Sequence, residues 1–92
     1  MMAERVYKYL LPFGDWVSIE MPEGAVPLCV QVQQEQPFML ARIRVGAPLA
    51  VHHFRIAGTG HDLGSNVGRH IDSVHLHGGA LVLHVFAEEC QP

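Results

Sequence analysis

Seven histidines in a 92-residue chain outnumber its six lysines and arginines and make imidazole an unusually frequent reactive group beside nine carboxylates. His75 and His77 form a His-x-His pair, and His84 follows closely. Imidazole nitrogens are good ligands for zinc and similar metals, so His75, His77 and His84 form the candidate metal set. The set lacks a cysteine or carboxylate placed to complete a tetrahedron, and each ring would also need a partner to orient it. His52 and His53 add nothing, because adjacent strand residues point to opposite faces.

A second cluster, Thr59, His61, Asp62 and Ser65, lies in the glycine-rich stretch from Gly58 to Gly68. A His–Asp neighbour pair suits acid–base work near neutral pH. A triad, however, is made by residues that converge in space, and no Gly-x-Ser-x-Gly elbow is present. No enzyme is expected, and no cofactor. Gly58-Thr59-Gly60 resembles a fragment of a phosphate loop, but no helix follows to present its N–H groups. With Arg55 beside it, an irregular anion nest is the form in which a nucleotide signal would bind.

Period-two alternation predicts the elements that carry these residues. Alternating runs cover Arg5–Leu11, Asp15–Met21, Pro27–Gln33, Phe38–Val45, Val51–Ala57, His70–His77 and Ala80–Ala87. Pro22-Glu23-Gly24, the Gln34–Pro37 connection, Gly46-Ala47-Pro48 and Gly78-Gly79 punctuate them as turns. The expected fold is all-β: about seven short antiparallel strands in a small sandwich or partly open barrel. The whole chain, 1–92, reads as one domain with an ordered core over about residues 5–88.

Register follows from the turns. With Gly78-Gly79 at the corner, His77 opposes Ala80, His75 opposes Val82 and Ser73 opposes His84. The histidines then share one face, while Val74, Leu76, Leu81, Leu83 and Val85 point to the core. Tyr7 and Tyr9 share a face opposite Val6, Lys8 and Leu10; Leu28, Val30 and Val32 point together; Cys29 and Trp16 read as core residues. Tyr7 and Tyr9 suit a half-wet contact surface.

Composition narrows the partners. Net charge is −3, and the arginines form no stripe, although Arg42, Arg44 and Arg55 are expected to share a surface; direct nucleic-acid binding is disfavoured. Apolar residues make up 49% and charged residues 16%, which leaves too little charge to coat a small monomer, so a homodimer is expected. No apolar run has the length of a membrane span, and two cysteines, Cys29 and Cys90, make no disulfide framework. A reducing, cytoplasmic setting follows.

The strings Val30-Gln31-Val32-Gln33, Phe54–His61 and Gly78–Phe86, with Val6-Tyr7-Lys8-Tyr9 and the Met21–Ala25 turn, resemble a family of small proteins of tailed bacteriophages and prophages. The resemblance covers residues 5–88. Its members are similar at His61 and His84 but not at His75 or His77, which weakens the metal reading. It carries no assigned catalytic or ligand residues. It implies an accessory binding protein acting in the bacterial cytoplasm on a host protein or protein complex, for example an anti-CRISPR-like inhibitor of a defence system. A minor virion or assembly component is the alternative. Candidate contact residues are Tyr7, Tyr9, Arg55, Thr59, His61 and Asp62.

Overall fold

A computed structural model describes residues 3–88. Seven strands follow in order: β1 Glu4–Leu10, β2 Trp16–Pro22, β3 Val26–Gln33, β4 Gln36–Arg44, β5 Leu49–Gly58, β6 Val67–Leu76 and β7 Leu81–Glu88. All pairings are antiparallel, in a three-stranded sheet β1-β4-β3 and a four-stranded sheet β2-β5-β7-β6. The all-β expectation holds. Among the described residues no helix is long and apolar enough to cross a membrane.

The alternation that defines the strands also builds the core. Val17, Ile19 and Met21 from β2, Met39, Ala41 and Ile43 from β4, Phe54 and Ile56 from β5, and Val74, Leu76, Leu83 and Val85 from the last hairpin are buried between the sheets. Each large side chain so buried stabilises the fold by roughly 1.5–3 kcal/mol.

Besides packing face to face, the two sheets are tied edge to edge between β3 and β6. The Val30 amide of β3 donates to Asp72 Oδ2 of β6 at 2.9 Å, and Arg69 donates to the Pro27 carbonyl at 3.1 Å. Bulges in both strands, at Pro27–Cys29 and between His70 and Asp72, bring these edges together. The other two edge strands, β1 and β2, have a hydrogen-bonded neighbour on one side only.

The final hairpin has the expected register: Ser73 opposes His84, Val74 opposes Leu83, and His75 opposes Val82. Its corner is a short 3-10 turn over His77–Gly79, closed by the Ala80 amide donating to the His77 carbonyl at 3.1 Å. Gly78 and Gly79 take φ of 65° and 95°, a region that glycine enters without a Cβ penalty. Leu83 and Val85 are buried, whereas Val82 and Leu81 are half-buried.

Four expectations need correction. Leu28 sits in the β3 bulge and is exposed instead of pointing inward with Val30, because the extra residue breaks the alternation. Cys29 consequently lies half-buried opposite Leu40, outside the core, as a free thiol; Cys90 lies outside the described residues. The Gln34–Pro37 connection shrinks to a two-residue corner, Gln34-Glu35, both at positive φ, with Gln36 and Pro37 already in β4. Arg42 and Arg44 do not share a surface with Arg55, since they belong to different sheets.

Candidate functional site

The glycine-rich loop is shorter than its composition implies: β6 begins at Val67, leaving residues 59–66 as connection. It folds back over the outer side of β5, and this covers two residues that alternation would leave in solvent. Arg55 is 7% exposed, and Phe54, Arg55, Ile56 and Ala57 form an uninterrupted buried run.

A buried guanidinium must have its donors satisfied. Arg55 Nε donates to the Leu63 carbonyl at 3.0 Å and Nη2 to the Asp62 carbonyl at 2.7 Å, both in the loop. Nη1 donates to the carbonyls of Asp15 (3.0 Å) and Ile56. Four of the five guanidinium N–H groups therefore hold backbone oxygens. The Asp15 carboxylate adds only a long contact of 3.8 Å and is itself well exposed, so its contribution is small. Arg55 is thus the brace of the loop and is not free for a phosphate; the expected nucleotide contact at this residue is corrected by its burial.

Trp16 opposes Arg55 across the β2–β5 pair, and the guanidinium carbon lies 5.4 Å from its ring centroid, a cation–π distance. The Gly64 backbone packs by the other part of the ring: a Cβ there would lie 3.9 Å from Trp16 Cζ2. Trp16 is nevertheless 49% exposed, contrary to the core role expected for it, because it stands at the edge strand with only the loop against it. Exposed Phe13 precedes it in the chain, and exposed Leu63 lies on the loop beside it.

The loop's first residue is tied separately. Thr59 Oγ1 lies 2.8 Å from His84 Nε2, His84 Nδ1 lies 2.7 Å from Ser73 Oγ, and Ser73 Oγ lies 2.9 Å from His70 Nε2. A neutral His84 ring donates from one nitrogen and accepts at the other, so it accepts from one of the two hydroxyls, Thr59 or Ser73, and donates to the other. His70 is further packed edge-on to Phe86 at 5.1 Å. His61 lies over Gly58, where a Cβ would come within 3.1 Å of the ring, and its amide donates to the Gly58 carbonyl at 3.1 Å.

Thr59 and His84, far apart in sequence, are brought together, and His61 and Asp62 sit on the same braced loop. Tyr7 and Tyr9 do not join them: they lie on β1 in the other sheet, their centroids 6.5 Å apart. His75, His77 and His84 do not converge either. His77 turns toward Glu35, its Nδ1 3.5 Å from the carboxylate, and no metal-ligating group of three forms among the described residues. Ser73 and His70 were not singled out from the sequence. The signal for Ser73 was present in its register opposite His84, whereas His70 enters only through the β6 bulge.

A separate open groove of about 580 Å³ lies at one end of the three-stranded sheet, lined among others by Glu4, Glu23, Val26, Arg42, Arg44 and Pro48. Its two cations and two anions offset one another, and none of the loop residues reaches it.

Comparison with curated proteins and with solved structures finds no match. A family model described as a domain of unknown function, DUF7352, matches residues 2–92, and the chain belongs to that family.

Proposed function

We propose that this chain is a binding protein, not an enzyme, that docks on a partner protein through the Arg55-braced loop and the Trp16 surface beside it. The observation that carries this reading is the Arg55 guanidinium bonded through four of its five N–H groups to the carbonyls of Asp62 and Leu63 in the loop and of Asp15 and Ile56 beside it. It sets the loop in place before any partner arrives, which reduces the ordering cost of association. Trp16 packs by the loop at Gly64, and exposed Leu63, Asp62 and His61 lie on the loop itself, with exposed Phe13 three residues before Trp16 in the chain. Half-exposed tryptophan held by packing is the residue type on which interface energy concentrates.

The resemblance to phage and prophage proteins gives the partner its class: a component of the bacterial host, in its sharpest form a nuclease complex of a defence system that is inhibited by occlusion. The setting is then the bacterial cytoplasm.

The test is affinity capture from a bacterial lysate on immobilised protein, run in parallel with a Trp16→Ala/Leu63→Ser variant shown by circular dichroism to be folded. A protein retained in stoichiometric amount by the parent and lost from the variant supports the reading. Equal retention on both, or none on the parent, overturns it.

A further inference from the structure

Four of the described strands are sheet edges, and they are not equivalent. The edges of β3 and β6 are joined through Asp72 and Arg69. The β2 edge ends in Pro22, which has no N–H, and carries Glu20 as its one charge. Among the described residues β1 is left as a seven-residue free edge, Glu-Arg-Val-Tyr-Lys-Tyr-Leu, with Val6 56%, Leu10 57% and Tyr7 41% exposed. Exposed edges of this kind pair with other strands unless something prevents it.

We infer that two copies of this chain pair antiparallel through β1, about a two-fold axis at Val6, joining their three-stranded sheets into one six-stranded sheet. The occupant follows from charge complementarity of β1 with itself. Residues directly opposed across an antiparallel pair share a face, so the register must oppose even with even positions. With Val6 facing the partner's Val6, Glu4 faces the partner's Lys8 and Lys8 the partner's Glu4, while Arg5 faces the partner's Tyr7. Within one chain Glu4 already opposes Arg44 across β1–β4. The joined sheet therefore carries rows running Arg44, Glu4 and the partner's Lys8, each anion between two cations. A shift of two residues, centring the axis on Tyr7, would oppose Glu4 to Leu10 and Val6 to Lys8, and lose both ion pairs.

Lys8 is available for this exchange. In the single chain its ammonium lies 4.6 Å above the Phe38 ring and donates to Gln33 Oε1 at 2.9 Å, both exposed contacts that a swing toward the seam gives up cheaply. On the opposite face, Arg5 Nη1 stands 3.5 Å from the hydroxyl of its own Tyr7, and the seam places the partner's Tyr7 across from Arg5. The inference also accounts for the low charge content of so small a chain. It is independent of the docking reading above, which uses the other sheet.

Sedimentation equilibrium of the full chain tests it. The parent is expected to have twice the chain mass. Glu4→Lys and Lys8→Glu alone should each weaken association by about tenfold or more, as two attractive pairs become repulsive, and the double exchange should restore it. The register is read directly by Val6→Cys in a Cys29→Ser/Cys90→Ser background, since opposed Cα atoms about 4.5–5.5 Å apart are within disulfide reach. Val6→Cys should cross-link with its copy, and Lys8→Cys should not. A monomeric parent, single reversals that leave the dimer intact, a double exchange as weak as the singles, or cross-linking at Lys8→Cys in place of Val6→Cys would each overturn the inference.

Discussion

Arg55 Nε lies 3.0 Å from the carbonyl oxygen of Leu63, so a strand side chain and a loop backbone hold each other in place. That one relationship converts the least periodic stretch of the sequence into a defined surface, and it also decides what Arg55 cannot do. A guanidinium committed to four carbonyls is architecture.

Arg55→Ala should destabilise the protein by about 2–4 kcal/mol, since four carbonyls, one buried and three partly buried, lose their donor and Trp16 loses its packing partner. Arg55→Lys should recover only a minor part, because an ammonium cannot fork to carbonyls on two segments. Urea denaturation of the three proteins checks both statements.

Gly58→Ala should cost less than about 1 kcal/mol, because the new methyl meets only the exposed His61 ring, at 3.1 Å. In a His61→Ala background the same change should be neutral. A double-mutant cycle on thermal stability reads the coupling, which should be confined to this pair.

Ser73→Ala should cost about 1 kcal/mol by removing the shared partner of His84 and His70, which stand 2.7 and 2.9 Å from its hydroxyl. Thr59 should remain bonded to His84. Nitrogen-15 spectra of the imidazoles should show His84 Nδ1 and His70 Nε2 changing together while His84 Nε2 keeps its hydrogen-bonded shift.

Tyr9 should titrate above its ordinary value of 10.0, first because burial disfavours the phenolate and second because the Tyr7 charge opposes it. A raised folded-state pKa makes this contribution fully present below the unfolded value and lost as pH rises through the folded one. Stability should therefore decline with alkali above pH 10, and Tyr7→Phe should lower the Tyr9 midpoint. Absorbance titration of the phenolate, combined with denaturation at alkaline pH, tests the sign.

Much of this architecture was legible in the residues. Alternation located all seven strands, and Gly78-Gly79 set a hairpin register that put Ser73 opposite His84. Alternation states which neighbours share a face; it does not state what covers that face. Alternation turns Arg55 outward and the bulk of Trp16 argues for the core, yet the returning loop buries the first and the edge position leaves the second half in solvent. Leu28 was misplaced for a local reason, a bulge that adds one residue to β3 and reverses the side on which it falls. The Thr59–His84 link needed both the hairpin register and the path of the loop, and only the first is written in a periodic pattern.

The central claim is that the loop is fixed in the free protein by Arg55, and backbone nitrogen-15 relaxation measures this most directly. Order parameters of about 0.85 at Asp62, Leu63 and Gly64, equal to those of the strands and falling in Arg55→Ala, are the expected result. Values below about 0.6 at these amides in the unaltered protein would contradict it.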